Sequence, residues 1–133
     1  MKAKFKISLV KPESEEYIAL SNMDQEGPEE DYAPGLKLVN FRESVPMSTY
    51  LTVFIVSDFE SIQQTIQPNF GEPFDLRCFA TPGKTKNLDF ALKTSVDVIQ
   101  YYIDYFRVPY PLPKLDLAAI PDFVRFVCNR RNF

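Results

Sequence analysis

The chain has 133 residues, of which 45% are hydrophobic and 25% charged, and its formal net charge is −3. This length suits one ordinary domain, which buries roughly two-thirds of its unfolded surface. Its 15 basic and 18 acidic residues create no broad basic field of the kind that attracts nucleic acid. No apolar run approaches the roughly 20 residues that a transmembrane helix needs.

The first third of the chain predicts antiparallel strands. Residues 4–10 alternate apolar and polar side chains, and Phe5, Ile7 and Leu9 share one face. This pattern predicts a half-exposed strand and argues against a signal peptide. Residues 16–23 predict a second, shorter strand. The sequence assigns no cellular location.

Residues 24–35 combine turn residues with several carboxylates and predict a polar hairpin loop. They lack the ligand order of an EF-hand, which favours a solvated turn over a calcium site. Residues 36–44 and 48–60 predict two more strands. The second is nearly continuous in apolar residues, so we expect it to be central and covered. Residues 63–73 predict a linker or long loop.

The rest of the chain predicts a strand–helix–strand order. Residues 76–81 predict a strand, and residues 88–106 have helical periodicity that ends before Pro109 and Pro111. Residues 115–120 predict a buried strand. The apolar stripe of the predicted helix consists of Leu88, Leu92, Val96, Ile99, Tyr102, Ile103 and Phe106.

The sequence contains no histidine. This excludes Ser–His and Cys–His nucleophile pairs, histidine-based zinc sites and a histidine general base. Cys78 fits a small core residue, and Cys128 lies in an irregular tail, so the two thiols define no disulfide framework and no redox compartment. Asp116 and Asp122 have no recognisable partner acid or base.

Residues 105–123, YFRVPYPLPKLDLAAIPDF, carry a family resemblance. They resemble the aminopeptidase N family of zinc metallopeptidases, the gluzincins. In that family a Tyr-Phe, a Pro-Tyr-Pro-Leu turn and a Lys-Leu-Asp-Leu…Ile-Pro-Asp-Phe strand occur together. Residues 44–60, SVPMSTYLTVFIVSDFE, resemble the family's Pro-Met-Ser-Thr-Tyr-Leu strand, and residues 2–10 and 17–23 resemble the strands before it. The match extends from residue 2 to about residue 123.

The resemblance implies an α+β fold that is mainly β. Residues 1–74 resemble the later part of an antiparallel N-terminal β-saddle domain. Residues 75–123 resemble the strand–helix–strand opening of a thermolysin-like catalytic domain. Residues 124–133 form a non-homologous tail.

The resemblance also predicts that catalytic groups are missing. After Pro121, Asp122 and Phe123, the family continues into a Gly-x-Met-Glu-Asn motif, whose Glu holds the substrate's α-amino group, and then into His-Glu-x-x-His, which binds zinc. Here residues 124–129, VRFVCN, follow instead. We therefore expect no catalytic, metal-binding or substrate-binding residue in this chain, although full-length relatives use zinc and act on peptides.

The favoured interpretation is a truncated zinc aminopeptidase-like protein that is inactive as given. One alternative is a non-enzymatic β-rich interaction module that binds a partner such as a full-length paralogue. Another is an unrelated peptide- or ligand-binding domain. Uncovered strand edges and apolar faces recruit other chains, so the favoured interpretation also predicts self-association. An interaction module that evolved to exist by itself should be monomeric.

Overall fold

The computed structural model of the protein describes residues 2–121. It is mainly β with one long helix, which confirms the predicted α+β class. Short 3₁₀ turns lie at Thr49–Leu51 and Thr85–Asn87. In chain order, the regular elements are β1 (Ser8–Pro12), β2 (Ile18–Ser21), β3 (Glu30–Ala33), β4 (Leu36–Asn40), β5 (Phe54–Ser57), β6 (Glu60–Ile66), β7 (Phe74–Ala80), α1 (Leu88–Phe106) and β8 (Lys114–Ala118).

The first five strands form two antiparallel sheets, one in the order β1-β4-β3 and the other containing β2 and β5. Ile7 is buried with Val39 and Phe41, and Phe5 and Leu9 pack against this cluster. The predicted apolar face of residues 4–10 is therefore confirmed. The regular strand begins only at Ser8, after a stretch held by isolated backbone hydrogen bonds such as Phe41 N–H to the Ile7 carbonyl, 3.0 Å.

Two predictions for this half are wrong. The polar loop of residues 24–35 contains a strand, β3, whose four residues are all exposed and which pairs with β4. Its polar composition reflects its position at the edge of a sheet. The apolar strand predicted to be central is shorter, and in residues 2–121 β5 pairs only with β2. Phe54 and Val56 on β5 are exposed, so they are not covered by the described part of the chain.

The predicted linker at residues 63–73 is also wrong in its first part. Residues up to Ile66 belong to β6, which pairs in antiparallel register with β7 from Glu60↔Ala80 to Ile66↔Phe74. Only residues 67–73 connect the two strands. The Gln and Thr side chains suggested a loop, but they are exposed residues of a strand that carries Ile62 and Ile66 into the core.

The remaining elements build a β–α–β unit. Strand β7 leads into α1, and β8 returns in parallel alignment beside β7, as the strand–helix–strand prediction requires. Parallel strands need a long crossover connection, and α1 supplies it. The sheet order is β6-β7-β8. The observed bounds of β7 and β8 lie one or two residues before the predicted ones.

Helix α1 has the bounds that the periodicity predicts. Leu88 and Ile103 are buried, and Leu92, Val96 and Ile99 pack against the same core. Tyr102 and Phe106 are exposed, so the C-terminal end of the predicted stripe is wrong. The helix ends when Arg107 adopts a left-handed conformation with φ 55°, before Pro109 is reached.

The β–α–β unit has its own hydrophobic core, separate from the core around Val39. It consists of Ile66, Phe74, Leu76, Cys78, Ala80, Leu88 and Ile103. Cys78 is thus a core residue, as predicted. Within residues 2–121, no helix is both long and apolar enough to cross a membrane.

Candidate functional site

Pro121, Asp122 and Phe123 are the residues that the sequence places nearest to a substrate site, and they follow β8. Pro121 is exposed in a turn three residues after the strand ends at Ala118. Asp122, Phe123 and the tail of residues 124–133 lie outside the described residues. The prediction that the chain carries no catalytic, metal-binding or substrate-binding residue therefore stays a prediction.

The densest group of charged side chains lies at the start of β8. Asp116 accepts two hydrogen bonds from the Arg77 guanidinium on β7, from Nε at 2.7 Å and from Nη2 at 2.8 Å. The two residues are direct partners in the parallel register of β7 and β8. A two-point guanidinium–carboxylate pair fixes both distance and orientation, so it holds the two strands in this register.

Lys114 is buried in the same cluster, with 8% of its side chain exposed. Its ammonium donates one hydrogen bond to the Asp116 carboxylate and another to the backbone carbonyl of Ser21, 2.7 Å away. Burial lowers the pKa of Lys114, against the opposing effect of Asp116. Lys114 and Asp116 are two residues apart on a strand, and they share a face for that reason.

Tyr110 completes the cluster from the connection between α1 and β8. Its hydroxyl donates a hydrogen bond to the Lys114 carbonyl, 3.0 Å away, and its ring packs against Phe74 with centroids 4.5 Å apart. Burial, assisted by the charge of Asp116, raises the pKa of Tyr110. The phenol is therefore held protonated as a donor and is a poor general base.

We call Arg77, Lys114 and Asp116 the ion-pair triad. Its carboxylate already accepts hydrogen bonds from two cations, which leaves little room for a metal ion. The role of the triad is structural, because it holds β7 and β8 in register. The sequence hypothesis missed it because the partner of Asp116 comes from a strand 39 residues away. The signal available was the Lys-x-Asp pattern, which places two opposite charges on one face of a strand expected to be buried.

The described residues do not fit a zinc site. Within residues 2–121, no group of three or more cysteine, aspartate or glutamate side chains could hold a metal ion. Structural zinc takes four ligands and catalytic zinc at least three from the protein. Burial raises the pKa of the Cys78 thiol, which disfavours the thiolate that metals bind.

Comparison with known proteins gives a consistent result along nearly all of the chain. Residues 1–51 match the family model of the peptidase M1 N-terminal domain. Endoplasmic reticulum aminopeptidase 1 of Mus musculus is 40% identical over 123 residues, which are 92% of this chain and 12% of that protein. Glutamyl aminopeptidase of Rattus norvegicus is 43% identical over 122 residues, again 92% of this chain and 12% of the relative.

A plant relative agrees. Aminopeptidase M1-C of Oryza sativa subsp. japonica is 41% identical over 122 residues, which are 92% of this chain and 13% of that protein. The chain thus spans about an eighth of the length of these relatives. The matched region includes strands from both sheets of the N-terminal half and most of the β–α–β unit. The chain belongs to the peptidase M1 family of aminopeptidases.

Proposed function

We propose that this chain supplies scaffold of an M1 aminopeptidase and contains none of its catalytic groups. The observation that carries the proposal is the extent of the matches: they take in 92% of this chain but only 12–13% of each relative. On this proposal, residues 1–74 correspond to the later part of the N-terminal β-saddle domain. Residues 75–123 correspond to the opening of the thermolysin-like catalytic domain.

The proposed boundary lies at the start of β7, and the β6–β7 hairpin spans it. Strand β6 precedes residue 74 but pairs along its whole length with β7. Its Ile62 and Ile66 side chains also contribute to the core beneath α1. We propose that the chain passes from one domain to the next along β6, which is a paired strand and not a free linker.

The activity that we propose for a full-length protein of this family is zinc-dependent removal of the N-terminal residue from peptides. The zinc would supply Lewis-acid chemistry and an activated water. The described residues offer no ligand set for it, so no step is assigned to them. We propose that the 133-residue polypeptide does not hydrolyse peptides by itself, because its sequence contains no histidine.

We also propose that residues 124–133 are not family sequence. They stand where the resemblance calls for Gly-x-Met-Glu-Asn, and they provide neither its Gly nor its Glu. Sequencing the gene and its transcripts across codons 123–125 tests this proposal. Finding the same ten codons followed by an in-frame Gly-x-Met-Glu-Asn segment would show that the tail is an insertion within a complete enzyme.

The central experiment assays the purified 133-residue polypeptide with a panel of amino-acid anilides, with and without added zinc. A full-length M1 aminopeptidase serves as the positive control. We expect no turnover above buffer and well below one bound zinc per chain after dialysis. Zinc-dependent release of N-terminal residues that co-purifies with the polypeptide, and is lost when the polypeptide is removed with an antibody, would overturn the proposal.

A further inference from the structure

We propose that Lys114 is a tether that sets the orientation of the β–α–β unit relative to the two N-terminal sheets. Its ammonium reaches from the first residue of β8 to the carbonyl of Ser21, the last residue of β2. The Arg77–Asp116 pair holds that ammonium in place from the side of β7. This inference concerns the assembly of the chain and does not depend on the proposed function.

In the described part of the chain, a single polar bond connects the N-terminal sheets to the β–α–β unit. Among the hydrogen bonds and ion pairs of residues 2–121, the Lys114–Ser21 bond is the one that joins a residue of β1–β5 to a residue of β6–β8 or α1. The other polar contacts between elements remain on one side or the other. The relative orientation of these two parts of the chain, which are joined by one polar bond and a short chain segment, therefore depends on that bond.

The packing leads to the same conclusion. The core around Val39 and the core around Leu76 have no residue in common. Between them lies an open cleft with Ser21, Val53 and Ile55 on one wall and Leu115 and Asp116 on the other. Since side chains from the two sides do not interlock into one shared core, apolar packing leaves their relative angle weakly specified.

The composition of the tether suits a role in orientation more than in stability. Removing an ammonium from water is costly, and Lys114 recovers that cost through Asp116 and the Ser21 carbonyl. Buried ionic groups often add little net stability compared with an apolar group of similar size, although they can select one arrangement over others. A lysine at this position thus favours one docking angle.

The test compares the full 133-residue chain with its Lys114→Met variant. Methionine has a similar length and leaves the Arg77–Asp116 pair intact. Replacing Asp116 would instead leave Arg77 and Lys114 without their anionic partner. Lys93→Met is the matched control, because Lys93 is exposed on α1 and forms no described ion pair. Residual dipolar couplings of backbone amides report the relative orientation of the two bodies directly.

We expect the wild type and Lys93→Met to fit one alignment tensor for all strands. In Lys114→Met, the amides of β1–β5 and those of β6–β8 should each fit a tensor of their own, while the urea midpoint stays close to that of the wild type. One common, unchanged tensor in Lys114→Met would overturn the proposal, and so would a large fall in the midpoint with the common tensor retained. If Lys114→Met does not fold, Lys114→Gln, which keeps a polar group but removes the ammonium, is compared by the same criteria.

Discussion

Gly71 lies against Pro109 so closely that only a hydrogen atom fits between them. A Cβ placed on Gly71 would stand 2.7 Å from the Cβ of Pro109. Gly71 also has a φ of +100°, which side-chain-bearing residues rarely adopt. The connection between β6 and β7 therefore packs directly on the connection between α1 and β8, and a glycine is required at their contact.

Replacing Gly71 with alanine should destabilise the chain by about 2–4 kcal/mol, because it adds both backbone strain and a clash with a rigid proline ring. Gly27→Ala is the matched control. Gly27 has a φ of +75° but no atom within 4 Å of its would-be Cβ, so only the backbone penalty of about 1–2 kcal/mol applies. Urea unfolding followed by circular dichroism gives both values. Equal losses in the two variants would contradict the contact.

Two residues one turn apart at the C-terminal end of the predicted helix stripe provide a second test. Ile103 is 3% exposed in the core, so Ile103→Ala should cost about 2–5 kcal/mol. Phe106 is 62% exposed, so Phe106→Ala should change the free energy of unfolding by less than about 1 kcal/mol. Both changes shorten an apolar side chain on the same helix, which makes Phe106→Ala the control for helix propensity. A large loss in Phe106→Ala would show that this face is covered.

Helix α1 was the most predictable element, because nineteen residues repeat one apolar period without interruption. The period does not reveal where the supporting sheet ends. Ile103 still packs in the core, but Phe106, almost one turn further along the helix, is exposed, so the periodic pattern continues past the surface it packs on. The strands were less predictable, because β3 is polar as an exposed edge and β5 is apolar although the described residues leave it half uncovered.

The ion-pair triad could not be derived from the sequence alone. Asp116 finds Arg77 only after a helical crossover places β8 beside β7 in a particular register. A shift of one residue in that register would point the carboxylate to the opposite face of the sheet. Lys114 in turn finds Ser21 across the boundary between two separately packed bodies. Family resemblance identified the segment, but not what these side chains contact.

The buried thiol of Cys78 should make stability fall at alkaline pH. Burial raises its pKa in the folded chain above the ordinary value of 9.0, so the unfolded chain loses this proton first. The stabilising contribution is complete below pH 9.0 and is lost as the pH rises through the folded pKa. Between about pH 8 and pH 10, Cys78→Ala should therefore show a shallower decline in the free energy of unfolding than the parent chain.

The comparison is made in a Cys128→Ser background, so that Cys78 is the remaining thiol. Tyr110 also has a raised pKa, but its contribution is lost only at higher pH, above its ordinary value of 10.0. The difference between the slopes of the two chains just above pH 9 therefore reports on the thiol. Identical slopes in the two chains would show that Cys78 ionises as easily in the folded state as in the unfolded one.

We finally predict that the isolated chain self-associates through β5. Phe54 and Val56 are exposed on one face of this strand, and residues 50–57 contain no charged side chain. Within residues 2–121, β5 is hydrogen-bonded to β2 alone, which leaves its other edge available to a strand of another copy. An uncharged apolar strand edge of this kind recruits other strands.

Sedimentation velocity over a wide concentration range measures the association. Phe54→Lys should shift the chain towards monomer, because a charge on this face would have to be buried at the contact. Val98→Lys is the control, since Val98 is a similarly exposed apolar residue on the outer side of α1. Association that persists in Phe54→Lys but disappears in Val98→Lys would assign the contact to the helix. A parent chain that stays monomeric and melts in one sharp transition would contradict self-association and favour the interaction-module alternative.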